Sequence, residues 1–191
     1  MRIAVIGTGH IGGTLGQRWQ AAGHAVVYGS RQGAGEGPGG APVLPAGDAL
    51  AGADAVLLAV PGRAVADVIG PHGAALAGKI VIDATNNIGG QAAVNGQAAV
   101  AAAAPGARYA RAFNTLGWEN FADPPAGAIL VFAADPEAQA AVEELVTAVG
   151  LEPVCVGGAD ASGTVDSLLP LWFALVKQHG GNRRLALRVA E

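Results

Sequence analysis

Residues 7–12 read Gly7-Thr8-Gly9-His10-Ile11-Gly12, a G-x-G-x-x-G spacing in which each glycine has a separate task. Gly7 permits a tight turn, Gly9 lets the backbone approach a pyrophosphate, and Gly12 lets a helix pack closely on a strand. Thr8, His10 and Ile11 fill the positions between, and free N–H groups at the start of a helix suit an anion. With 30 glycines in 191 residues, the spacing alone would arise easily by chance. Its context gives it meaning. A strand pattern, Ile3 to Ile6, runs into it and a helical pattern leaves it, the setting in which such a loop binds a dinucleotide through its phosphates.

The end of the second strand selects the dinucleotide. An acidic residue there accepts the ribose hydroxyls of NAD and would repel a 2′-phosphate. This chain has Gly29-Ser30-Arg31, with no acid between Tyr28 and Gly35. The Ser30 hydroxyl and the Arg31 guanidinium both donate to phosphate, so NADP(H) is the expected cofactor. The plainer alternative for Arg31 is a solvated loop charge.

Ligands of open α/β sheets sit beyond the carboxyl ends of strands. That rule nominates Val60-Pro61, Ala84-Thr85-Asn86 and Asn114-Thr115-Leu116. Val60, Pro61, Thr85, Asn114 and Thr115 are expected around the nicotinamide end, with ordinary turn chemistry as the alternative for the polar ones. No catalytic residue is assigned. Reduction of a carbonyl or imine calls for a general acid, yet neither Tyr28 nor Tyr109 opens a Tyr-x-x-x-Lys pair. Lys79 falls at a strand start and Lys177 late in the last helical pattern. His10 is read as a passive loop position. His24, His72 and His179 stand at element ends without clustered carboxylates or thiols, so no metal site is expected. Asp83 is expected to bond its own turn. Asp166, among apolar helix residues, requires a cationic partner such as an arginine. Trp118 is expected to border an acceptor pocket, and Trp172 and Phe173 to fill the core or a subunit interface.

The elements that must position these residues alternate along the chain. Strand patterns at Ile3–Ile6, Ala25–Tyr28, Ala55–Val60, Lys79–Asp83, Ala107–Phe113, Ala128–Ala133 and Pro153–Val156 are joined mostly by helical ones, with a weaker strand at Pro42–Leu44. Helices are expected from Ile11 to Ala22, Arg63 to Ile69, about Ala92 to Ala104, and Thr164 to Gln178. The clearest starts at Pro136, with Asp135 as its cap and Gly150 beyond its end. A final strand is expected at Leu185, Leu187 and Val189. The fold class that follows is α/β, a doubly wound, mostly parallel sheet in one domain (1–191).

Composition narrows the remaining classes. The formal net charge of −4 and a pI near 5.5 argue against nucleic-acid binding. The longest apolar run, Leu168 to Val176, is far too short to span a membrane. Cys155 is the only cysteine, which excludes an internal disulfide. A soluble, cytoplasmic protein is expected.

Taken together, Arg2 to Arg31, Val60-Pro61, Ala112-Phe113-Asn114-Thr115 and Gly157 to Val189 resemble the NADPH-dependent reductases of the deazaflavin coenzyme F420. Within the last stretch, Val165-Asp166-Ser167-Leu168 and Pro170-Leu171 are the more distinctive part. The same fold serves as the cytoplasmic domain of certain metalloreductases. The resemblance implies a Rossmann fold with residues 157–191 as a small helix–strand extension that contributes to the acceptor pocket or a dimer interface. It also implies direct hydride transfer between NADP(H) and F420, and a homodimer. A non-catalytic NADPH sensor, or a reductase of ordinary flavin or a metal chelate, are the alternatives. The chain departs from the family at Gln32-Gly33, where further basic residues are usual, and at Gly62-Arg63, where an aromatic residue is missing.

Overall fold

The computed structural model describes residues 1–31, 33–89 and 93–190. Strands β1 (Arg2–Ile6), β2 (Ala25–Ser30), β3 (Val43–Pro45), β4 (Ala55–Leu58), β5 (Ile80–Asp83), β6 (Arg108–Arg111), β7 (Ile129–Ala134) and β8 (Glu152–Cys155) form one sheet. Its order is β3-β2-β1-β4-β5-β6-β7-β8, parallel throughout except between β6 and β7. The doubly wound α/β class read from the sequence is borne out.

Helices cover both faces: α1 (His10–Ala21), α2 (Ala46–Ala51), α3 (Val65–Ile69), α4 (Gly73–Leu76), α5 (Gln97–Ala103), α6 (Glu119–Ala122), α7 (Pro136–Val149), α8 (Ser162–Asp166) and α9 (Leu168–Gln178). The alternation of side chains along each strand divides the core in two. Ile3, Val5, Leu57 and Ile82 pack with Leu15 and Trp19 of α1 and Val142 and Leu145 of α7. Ala4, Ile6, Val56, Leu58 and Val81 pack on the opposite side with Leu50, Ile69, Leu76 and Val100. Strands buried on both faces are therefore apolar at every position rather than at alternate ones. Each fully buried leucine of β4 contributes roughly 2 kcal/mol relative to exposure. The Trp19 indole N–H donates to the Leu145 carbonyl at 3.0 Å and fixes α1 against α7.

The differences from expectation have local causes. Helices α2, α4 and α6 have no side-chain cap and are too short to show a helical period. Helix α5 starts at Gln97; Ala92, its expected start, lies outside the described residues. The Gly96 N–H just before α5 donates to the Asp83 carboxylate at 2.6 Å, which sets its beginning. Asp135 precedes α7 as expected, but its carboxylate accepts the Tyr109 N–H at 2.7 Å instead of capping the helix. The expected helix from Thr164 is divided between α8 and α9, because Pro170 has no N–H to continue the ladder of α8.

The expected strand at Leu185–Val189 is reduced to one antiparallel bridge, Leu187 with Ile129. Strand β7 meets β6 only at Ala133 and Ala134. Its opposite end is open along that edge, and the Ile129 N–H donates to the Leu187 carbonyl at 2.9 Å. Side chains hold the rest of the tail: Trp172 Nε1 donates to the Leu185 carbonyl at 3.0 Å and Asn120 Nδ2 to the Arg183 carbonyl at 2.8 Å. No helix among the described residues is long and apolar enough to cross a membrane.

Candidate functional site: the cleft beyond β1, β2 and β4

The glycine loop joins β1 to α1, and its three glycines differ physically. Gly7 has φ +115°, and a Cβ there would lie 2.5 Å from the Ala59 carbonyl oxygen of the loop after β4. A Cβ on Gly12 would overlap the carbonyl oxygen of Gly7. Gly9 is extended (φ −70°, ψ −174°), and a Cβ on it would meet nothing within 4 Å. The loop is thus closed at both ends by packing and open in the middle. The first N–H groups of α1 have no partner within the helix, which is the condition for accepting an anion.

A cleft of ≈ 700 Å³ opens beside this loop, within the size range of small-molecule sites. It brings together six residues nominated from the sequence: Gly7, Thr8, Ser30, Arg31, Val60 and Pro61. Ser30 Oγ accepts the Gly33 N–H at 3.0 Å, so its own hydrogen remains available to a ligand. Gly9, His10, Ile11 and Gly12 lie in the loop but outside the cleft lining. Ile11 is half-buried against the core, and exposed His10 stacks on Trp118 with ring centroids 5.0 Å apart and an 18° interplanar angle.

Three charged or titratable residues that the sequence did not nominate for the site also line the cleft: Arg63, Asp67 and His72. Arg63 follows Pro61 in a short turn, so extending the strand-end rule by two residues would have found it. His72 gave no such signal, because it reaches the cleft only through the packing of its ring on Gly47 of α2.

Thr85 and Asn114 belong to a different structure, a buried polar network under the ends of β5 and β6, whereas Thr115 lines a separate apolar cavity with Leu116, Ile129 and Trp172. Asp83 is its centre. One carboxylate oxygen accepts the Thr85 N–H at 2.9 Å and the Thr85 hydroxyl at 2.7 Å. The other accepts the Gly96 N–H at 2.6 Å and the Tyr109 hydroxyl at 2.7 Å. Arg111, fully buried, lies 3.3 Å from Asp83 and 2.7 Å from Asp166, the cationic partner that Asp166 required. It also donates to the Thr85 carbonyl at 2.5 Å and to Asn86 Oδ1 at 2.9 Å.

Burial, reinforced by the Asp83 charge and hydrogen bond, pushes the Tyr109 hydroxyl far above the ordinary tyrosine range. It is a neutral donor, fully committed to Asp83. Asn114 Nδ2 donates to Asp166 at 3.2 Å while its buried Oδ1 has no partner. Thr115 is buried beside it. The residue before them, Phe113, is held at φ +62° between the rings of Trp19 and Phe121, a conformation that bulky side chains rarely adopt. Asp83 therefore bonds its own turn as expected, and also Gly96 before α5 and both Tyr109 and Arg111 of β6. Lys79 takes no part; its Nζ donates to the Ala53 carbonyl at 2.6 Å. Among the described residues no group of three or more His, Cys, Asp or Glu is placed to hold a metal.

Residues 2–87 match the family model described as NADP oxidoreductase, coenzyme F420-dependent. The match covers β1 to β5, with the glycine loop and Ser30-Arg31, and agrees with the resemblance over those residues. A candidate F420-dependent NADP reductase from Arthrobacter sp. FB24 has the same fold over 100% of both chains, with TM-score 0.86 and 24% identity. A hypothetical protein of Sinorhizobium meliloti, SMa0349, is similar with TM-score 0.74 and 28% identity, covering 100% of this chain and 96% of its own. A reductive aminase from Aspergillus terreus, solved with NADPH and ethyl-5-oxohexanoate, shares the fold at TM-score 0.68 and 17% identity. Its likeness covers 93% of this chain but 62% of the aminase.

Proposed function

We propose that this protein is an NADP-dependent oxidoreductase that passes hydride directly between NADP(H) and a planar acceptor, the deazaflavin coenzyme F420. The observation that carries the reading is the engagement of the titratable groups at the ends of β5 and β6. Asp83, Tyr109, Arg111 and Asp166 are bound to one another and hold backbone turns in place. None is left to give a proton to a reduced carbonyl or imine. Hydride transfer between two stacked rings chiefly needs alignment, which a rigid floor supplies, and the proton that accompanies reduction of the acceptor comes from solvent, so no side-chain acid is required.

In this reading the loop Gly7-Thr8-Gly9-His10-Ile11-Gly12 holds the pyrophosphate through backbone N–H groups. Ser30 and Arg31 take the 2′-phosphate, and Val60 and Pro61 form the wall beside the nicotinamide ribose. Thr85, Asn114 and Thr115 act mainly by fixing the turns at the nicotinamide end, with Asn114 Oδ1 available as an acceptor. The bound dinucleotide supplies the hydride; the protein's part is to hold it and orient it. The openness at Gly9 and the presence of Asp67 as the single carboxylate among the described residues lining the cleft support the fit.

The test is to mix the purified protein with NADPH and F420, with NADPH and FMN, and with NADPH alone. Loss of NADPH absorbance with F420 only is the expected result. Turnover with FMN only moves the assignment to an ordinary flavin. Binding of NADPH without turnover in any mixture overturns the enzyme reading in favour of a sensor.

A further inference from the structure

We infer that Arg63 and His72 form a second wall of the 2′-phosphate site, opposite Ser30 and Arg31, and so determine the preference for NADPH over NADH. The inference rests on the NADP(H) reading above. Strands β2 and β4 flank β1 on its two sides, so residues following them approach the same cleft from opposite directions. Ser30 and Arg31 come from the β2 side, and Arg63 and His72 from the β4 and α3 side.

The distribution of cations singles this cleft out. Elsewhere Arg2 pairs with Asp54, Arg111 with Asp83 and Asp166, Arg183 with Glu119, and Arg184 with Asp123, while Arg108, Lys177 and Arg188, for which no ion pair is seen among the described residues, lie outside the cleft lining. Arg18 and Lys79 donate to backbone carbonyls. Among the described residues neither Arg31, Arg63 nor His72 has such a partner, and all three line one cleft whose only carboxylate is Asp67. In a chain of net charge −4, two guanidinium groups and an imidazole N–H donor on one cleft mark a place for an anion.

Local geometry explains how the two residues arrive. A Cβ on Gly62 would lie 2.7 Å from the Asn87 nitrogen and 2.8 Å from the Asn86 carbonyl carbon. The backbone after Pro61 therefore lies flat on the turn after β5, where no aromatic side chain fits, and Arg63 extends from it into the cleft. The His72 ring packs on the first turn of α2, within 3.1 Å of where a Gly47 Cβ would stand. That contact carries a residue of the α3 side across to the β2 side. A phosphate dianion has three acceptor oxygens, more than one serine hydroxyl and one guanidinium fork satisfy. Gln32-Gly33 adds no cation, and Arg63 and His72 supply the missing donors from other elements.

The test is calorimetric titration with two fragments, 2′,5′-ADP and 5′-ADP, which differ only in the 2′-phosphate. Arg63→Gln is expected to weaken 2′,5′-ADP binding about tenfold and His72→Gln about threefold, as loss of a charge-assisted or a single hydrogen bond implies. Binding of 5′-ADP should change less than about twofold. Equal losses for both fragments would place Arg63 on the pyrophosphate or adenine and overturn the inference. Unchanged 2′,5′-ADP binding in both variants overturns it as well. If the unaltered protein shows no preference for 2′,5′-ADP, the NADP(H) reading itself falls. If that preference is present and both variants retain it, only the present inference falls.

Discussion

Arg111 Nη2 lies 2.7 Å from Asp166 Oδ1, joining the end of β6 to α8 through a guanidinium with no exposure to water. Asp166 also accepts from Asn95 at 2.7 Å and from Asn114 at 3.2 Å. One carboxylate from the C-terminal helices thus holds three segments at the end of the central sheet.

Asp166→Ala leaves Arg111 with Asp83 but removes its nearer partner. Breaking one side of a buried pair costs about 3 kcal/mol or more. Urea unfolding should show a loss near about 3 kcal/mol, at the lower end because Asp83 remains. A loss under about 1 kcal/mol would mean that the pair only balances its own desolvation.

Gly9 and Gly12 separate binding from stability. A Cβ on Gly9 meets nothing within 4 Å, whereas one on Gly12 strikes the Gly7 carbonyl. Gly9→Ala should leave the melting temperature nearly unchanged and weaken NADPH by about tenfold or more, since the methyl occupies the space of the pyrophosphate. Gly12→Ala should cost about 2 kcal/mol of stability as well. Equal melting temperatures for the two variants would contradict the packing described.

Arg31→Ala should weaken NADPH far more than NADH. A charge-assisted contact to phosphate is worth about 2 kcal/mol, or roughly thirtyfold in affinity. Fluorescence titration with both dinucleotides reads the ratio directly. The assignment of Arg31 to the 2′-phosphate fails if the two affinities drop together.

Alkaline pH should loosen the fold around Tyr28. Burial pushes its hydroxyl from an ordinary 10.0 up to about 12. The unfolded chain then releases that proton before the folded one does, so stability is fully present below about pH 10 and declines as pH rises through about 12. The hydroxyl gives little in return, reaching only the Gly13 carbonyl at 3.4 Å. Tyr28→Phe should flatten the decline in urea midpoint above pH 10.0. An unchanged slope would assign the alkaline loss elsewhere, with Tyr109 the next residue to replace.

Features that depend on neighbours along the chain could be read from the order of residues. The strand, glycine loop and helix of residues 2–21 were legible because turn chemistry and helical period are local properties. So were Ser30-Arg31 at the end of β2 and the span of α7 between Pro136 and the left-handed Gly150. Even the need of Asp166 for a cation was readable, since a charge among apolar helix positions demands one wherever it lies. Which cation that was depended on the packing of α8 against the end of β6. Arg111 stood in the sequence as a break in an apolar strand, and the order of strands turned it into the centre of a buried network. The same holds for Thr85, whose hydroxyl faces Asp83 rather than a ligand, and for Leu187, which pairs only where β6 leaves β7 open. Arg63 and His72 share a cleft with Arg31 because strands distant in sequence are adjacent in space, and no local pattern encodes that adjacency.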